Sequence, residues 1–314
     1  MPKLTTLSQL GARTSLARLH VKLLLKSTAE YDINHAFYLV DSENKMLHDF
    51  VFNELHEFGE VRSRRDNFYT PFGGKKYPQF GGDFNYDYLL RDCAIGESFL
   101  TLHDDTLLYK SDIFENVFSS LEKYNYGGFL DQRAKGAYEN ILLDGIPMGE
   151  LRIGTWFLFG NTDHYRANDY RLAVYKNYYK WLINFQYKSM RISTKKFRVW
   201  LNGGFDLNLR ARLDGNDFAV LDKLASDKLG TSIEHFEKVT GFFYHRGMMS
   251  FVDQDNEVDA WKEWLKKNIN RDESGNIFEI EFMKAMAKLL EKYDVDDKLL
   301  NTKTINKLKE HIDA

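Results

Sequence analysis

What most constrains this chain is the order of patterns in its first 131 residues. Compact apolar runs alternate there with amphipathic stretches, which predicts a parallel sheet with helices on both faces. Residues 3–9 and the run HAFYLVD at 35–41 read as strands. Between them, 11–27 reads as a helix, with Leu16, Leu19 and Leu23 at helical spacing. A helix over 47–58 and a short strand over 60–62 follow. Gly73, Gly74, Gly81 and Gly82, together with Pro71 and Pro78, then mark a long loop. Asp83 is placed to cap a helix over 84–94. Residues 97–102 form a strand that runs into His103-Asp104-Asp105-Thr106, followed by a helix over 111–123 and a strand over 127–131.

Composition removes several function classes. The 314 residues carry 43 basic and 46 acidic side chains, a net charge of −3, too little positive charge for a dedicated nucleic-acid binder. Cys93 is the only cysteine, so neither an intrachain disulfide nor a multi-cysteine metal site forms. The N-terminal stretch lacks a signal-peptide pattern, and no apolar run reaches the roughly 18 residues that span a bilayer. A cytoplasmic protein without a transmembrane segment is expected. Aromatic residues make up 15%, which suits a large core and equally suits stacking on sugars. They are dense at TWFLF (155–159) and YKNYYKWLINFQY (175–187), where a core role is expected for most of them, with Asp163-His164 between them as a turn or an acceptor contact.

The carboxylates carry the chemistry. In open parallel sheets ligands bind beyond the carboxyl ends of the strands, and Asp41 and the Asp104-Asp105 pair both fall at predicted strand ends. Adjacent carboxylates closing a buried strand are costly unless something cationic meets them, and a hard divalent ion does so. Acids that cap a helix or face solvent produce the same pattern.

Taken in order, these elements resemble the GT-A glycosyltransferases, particularly the family 2-like group. The helix RTSLARLHVKLLLKS precedes a strand ending in VDS at 40–42, where the family has a nucleotide-binding acid. NYDYLLRDCAIGESFLTLHDDT stands where it has a DXD motif; here either His103 replaces the first aspartate or Asp104-Asp105 acts as the pair. LNGGFDLNLRARLDG (201–215) is similar to its Gly-rich turn, Glu-Asp and following helix, with Phe205 in the Glu place. VTGFFYHRGMMS (239–250) is similar to a later histidine segment.

The resemblance implies an α/β, Rossmann-like GT-A fold, a mostly parallel sheet flanked by helices, over residues 1–255. Within it, 1–131 is the nucleotide-binding part and 132–255 the acceptor-binding part. The amphipathic stretch 256–314 is expected as a helical C-terminal extension that packs on the domain or supports oligomer formation. The implied activity is metal-dependent, inverting transfer of a sugar from a nucleoside-diphosphate sugar to the hydroxyl of a carbohydrate or glycan acceptor. Asp206 would be the general base, although a carboxylate in a helix's first turn also serves simply to anchor it. Asp41, His103, Asp104 and Arg246 would bind the nucleotide sugar. Asp105, Asp104 and His245 would hold Mn²⁺ or Mg²⁺. A nucleotidyltransferase, or a non-catalytic nucleotide-sugar-binding protein, is the rival reading.

Overall fold

Leu4–Leu10 (β1) is buried along its whole length although four of its seven residues are Thr, Ser or Gln. A strand of that composition is stable in an interior only when each polar side chain finds a partner. Gly96 N donates to Thr5 Oγ1 (2.9 Å), Thr6 Oγ1 pairs with His35 Nδ1 (2.8 Å) and Ser8 Oγ with His20 Nε2 (2.9 Å). β1 is thus an interior strand, covered on both faces.

A computed structural model describes residues 3–11, 14–39, 45–63, 81–92, 95–104, 106–108, 112–130, 141–172, 191–194, 203–221 and 242–243. After β1 come α1 (Thr14–Thr28), β2 (Ile33–Leu39) and α2 (Lys45–Asp49), which continues through a wider π turn at Phe50–Glu54. Next are β3 (Glu60–Ser63), α3 (Gly81–Asp92), β4 (Ser98–His103), β5 (Leu107–Leu108), α4 (Asp112–Leu121) and β6 (Tyr126–Leu130). The described remainder comprises β7 (Ile141–Leu143), β8 (Ile146–Pro147), α5 (Met148–Leu151), β9 (Ile153–Asn161), α6 (Thr162–Ala167), β10 (Ile192–Thr194), α7 (Phe205–Leu213), β11 (Phe218–Val220) and β12 (Phe242–Phe243).

The main sheet has seven strands in the order β11-β6-β9-β4-β1-β2-β3. All run parallel except β9, which lies antiparallel between β4 and β6. The mostly parallel sheet flanked by helices expected from the sequence is therefore present. β10, β7 and β8 form a small separate sheet, and β12 pairs with β5.

Strand alternation splits the apolar residues into two cores. Leu4, Leu10, Phe37, Leu39, Leu100, Leu102, Phe157 and Phe159 pack with residues of α1, α2 and α4. Leu7, Ala36, Tyr38, Phe99 and Leu158 pack with α3, α6 and α7. This is the period-two pattern of a sheet with both faces covered.

One sequence expectation changes. Asp83 falls inside the first turn of α3, which starts two residues earlier at Gly81, so it is not the cap. The aromatic run at 155–159 is part of the antiparallel β9, with Trp156, Phe157 and Phe159 at most 2% exposed, which gives these rings the core role expected for most of the aromatics. Residues 175–187 and the 256–314 extension lie outside the described residues. No described helix is long and apolar enough to cross a membrane.

Candidate functional site

Strand order reverses at β1. The chain steps outward from β1 to β2 and β3, then returns to place β4 on the other side of β1. Open α/β sheets bind ligands in the crevice beyond the carboxyl ends of the strands at such a reversal, here the ends of β1 and β4. Register makes the ends level: Gln9 lies opposite His103 and Leu10 opposite Leu39.

The acidic turn sits at this crevice. Thr106 N donates to His103 O at 2.9 Å, closing a tight turn that leaves β4 through Asp104. Asp104 is 5% exposed, and its Oδ2 accepts from Gly11 N at 2.6 Å. One carboxylate oxygen thus ties the end of β4 to the chain leaving β1. His103 is half-buried, and its ring stacks on Tyr86 of α3 with centroids 6.1 Å apart. Tyr86 is fixed in turn, its hydroxyl donating to Leu102 O at 2.7 Å.

Two further bonds anchor the turn from behind. Thr106 Oγ1 donates to Trp156 O of β9 (3.2 Å), and His20 Nδ1 contacts Thr106 O at 2.8 Å. His20 and Thr106 are both fully buried.

The second motif reaches the same end of β9. Gly204 precedes α7 with φ of +75°, and a Cβ built there would lie 2.8 Å from Thr155 Cγ2. Only glycine fits both the left-handed backbone and the close approach. Arg152, 3% exposed, donates to Gly203 O at 2.6 Å and holds this turn from the side of β9. Asn208 grips Ile153, accepting from its N (2.8 Å) and donating to its O (3.1 Å). Motifs a hundred residues apart in sequence therefore meet neighbouring residues of one strand, Thr155 and Trp156.

Asp206 occupies the first turn of α7 and is completely buried. Its Oδ2 accepts from Arg171 N at 2.9 Å and lies 3.3 Å from Arg210 Nη1, one helical turn on. Asp87 of α3 makes a matching contact, accepting from Leu172 N at 2.6 Å and from the Tyr165 hydroxyl. Carboxylates from two helices thus hold two successive amides. Burial, then the Asp87 charge, drive the Tyr165 phenol well above its ordinary range.

Of the residues singled out from sequence, His103, Asp104 and Asp206 lie on or next to this carboxyl edge. Asp41, Asp105, His245 and Arg246 lie outside the described residues. Asp163-His164 belongs to α6 at the opposite edge, where His164 Nδ1 meets Tyr126 Oη at 2.9 Å, so it takes no part in the site. Among the described residues, no group of three or more His, Cys, Asp or Glu is arranged to hold a metal ion. Sequence reasoning missed His20, Thr106 and Asp87. His20 was the findable one, since it continues the Leu16–Leu23 stripe of α1 as a polar residue on a buried face.

No protein-family model and no curated protein sequence matches the chain. Solved structures similar to it include the glycosyltransferase GlyE of Streptococcus pneumoniae TIGR4, with 10% identity and a TM-score of 0.43 over 86% of this chain and 64% of that one. The chain thus spans less than two thirds of the GlyE chain. S. aureus TarS 1-349 has 11% identity and a TM-score of 0.42, covering 99% of this chain and 88% of that one. The galactosyltransferase LgtC, solved with donor and acceptor sugar analogues, has 14% identity and a TM-score of 0.46, covering 82% and 94%. Likenesses this distant decide neither donor nor acceptor.

Proposed function

We propose that the chain is a glycosyltransferase that moves a sugar from a nucleoside-diphosphate sugar to an acceptor hydroxyl, with a divalent ion as cofactor. The observation carrying this reading is the convergence of the acidic turn, the Gly11 end of β1 and the Gly204–Asp206 turn on one crevice at the reversal of strand order. A metal-bound phosphate ligand there would meet hard oxygen donors. The chemistry of Asp104-Asp105 fits Mn²⁺ or Mg²⁺, which prefer carboxylate oxygens and keep positions open for phosphate. Such an ion supplies neutralising charge for the departing nucleoside diphosphate.

The chain's own residues have distinct tasks in this reading. Asp104 aligns the β1 end with the turn, and the His103 ring, backed by Tyr86, offers a flat half-buried surface to the donor. Asp41 and Arg246 contribute to nucleotide binding and His245 to the metal through the resemblance alone. The same holds for inversion at the sugar and for Asp206 as base. Its burial and its contacts with Arg171 and Arg210 instead support an anchoring carboxylate. That observation favours the second reading, a nucleotide-sugar-binding protein without transfer chemistry.

The deciding experiment incubates the protein with Mn²⁺ and a panel of nucleotide sugars, following thermal stabilisation and nucleoside-diphosphate release. At a hundred times its Kd a single donor should stabilise the fold by about 2.7 kcal/mol, and Asp105→Ala should remove that gain. Stabilisation without release would support the binding protein. No stabilisation by any donor, with Asp105→Ala unchanged, would sink both readings.

A further inference from the structure

We propose that His20 is a positioning residue that sets the conformation of the acidic turn, and through it the affinity of the crevice for a metal–nucleoside diphosphate pair. The affinity half rests on the functional reading above. The structural half rests only on the contacts of one side chain.

His20 lies in the middle of α1, fully buried, with both ring nitrogens in hydrogen-bond contact. The partner of Nδ1 is the Thr106 carbonyl, which can only accept, so Nδ1 carries the proton. Nε2 is then the acceptor in the neutral ring, and the Ser8 hydroxyl must donate to it. The Thr106 carbonyl therefore selects the tautomer, and the Ser8 hydroxyl, able to donate or accept, completes it on the far side of the ring. The relay joins three elements that bound the crevice: β1 through Ser8, α1 through His20 and the turn after β4 through Thr106.

Thr106 is the residue through which this acts. Its N closes the turn on His103 O, its Oγ1 is tied to Trp156 O and its carbonyl is held by His20. Loss of the His20 bond frees the carbonyl of Thr106, the residue that closes the turn on His103. A buried carbonyl without its donor seeks another partner, and the peptide planes of the turn are the groups able to rotate.

Two substitutions separate positioning from bulk packing. Asn places an amide near Nδ1 and can still donate to Thr106 O, whereas Gln places its amide near Nε2 and cannot. His20→Gln should speed hydrogen exchange of the Thr106 amide and weaken binding of Mn²⁺ with UDP or GDP by about tenfold each, the equivalent of one lost hydrogen bond. His20→Asn should stay within about threefold of the parent in both. Exchange and affinity unchanged in His20→Gln would overturn the proposal. If the parent binds neither diphosphate, the functional reading fails, and Thr106 exchange alone then decides whether His20 holds the turn. Should both His20 variants fail to fold, the imidazole nitrogen chemical shifts of the parent decide: they must show Nδ1 protonated and donating, and a neutral ring protonated at Nε2 instead overturns the proposal.

Discussion

His35 is 29 residues from Thr6 in sequence and 2.8 Å from it across the β1–β2 ladder. Thr28 Oγ1 already donates to Leu24 O, so at His35 it accepts from Nε2, and Nδ1 accepts from Thr6. The pocket is therefore built for a neutral ring. Burial, with a smaller contribution from His20, lowers the His35 pKa from 6.5 to about 4. The folded chain binds the proton less readily than the unfolded one, so stability is full above pH 6.5 and declines as pH falls towards 4. The loss is about 3 kcal/mol at most. Urea midpoints measured between pH 7 and pH 4 should show this decline, and His35→Gln should flatten it. A parent whose midpoint is constant over that range would contradict the assignment. Sequence could not foresee this environment, because HAFYLVD reads as an apolar strand whatever stands opposite its histidine.

Among elements, α7 shows how a motif can be correctly placed and still have two roles. The resemblance of residues 201–215 implies a helix after the Gly-Gly turn, and it forms at Phe205–Leu213. Phe205 through Leu209 are all buried, so one face of leucines does not describe it; Asn208 and Asp206 are buried with them. Both polar groups hold backbone: Asn208 the start of β9, Asp206 the Arg171 amide. Asp206→Asn tests the base assignment directly. A base predicts transfer reduced by about a hundredfold or more with donor binding and unfolding midpoint unchanged. An anchor predicts a stability loss of about 1–2 kcal/mol, since Arg210 loses its charge partner and the Arg171 amide is left with a neutral acceptor, the Asn oxygen, in place of a charged one. Chemical denaturation beside a transfer assay separates the two. The partner that makes the anchor, Arg171, carries no sequence signal, because it contributes a main-chain N–H that any residue but proline would supply.

For the whole molecule, β9 is the element on which the architecture turns. It runs antiparallel between two parallel strands, and its residues belong to both cores, Phe157 and Phe159 to one and Leu158 to the other. Gly128 of β6 lets it approach, since a Cβ there would sit 2.2 Å from Phe157 O. Phe157 meets Phe129 edge to face at 5.1 Å. Phe157→Ala should therefore destabilise the fold by about 3–5 kcal/mol. Urea denaturation would read this, and a loss below about 1 kcal/mol would show that β9 is not central to the core.

Apart from the two-residue β5, the sequence alone determined the succession of strands and helices through residue 130, because period-two and period-3.6 patterns are local properties of the chain. It also placed carboxylates at strand ends, where an α/β sheet binds ligands. Tertiary structure decided which strands are neighbours, that the apolar run at 155–159 is an antiparallel strand, and that Asp206 and His20 are buried among polar partners. Those are facts of pairing between segments up to a hundred residues apart, and no local pattern specifies the far partner of a hydrogen bond.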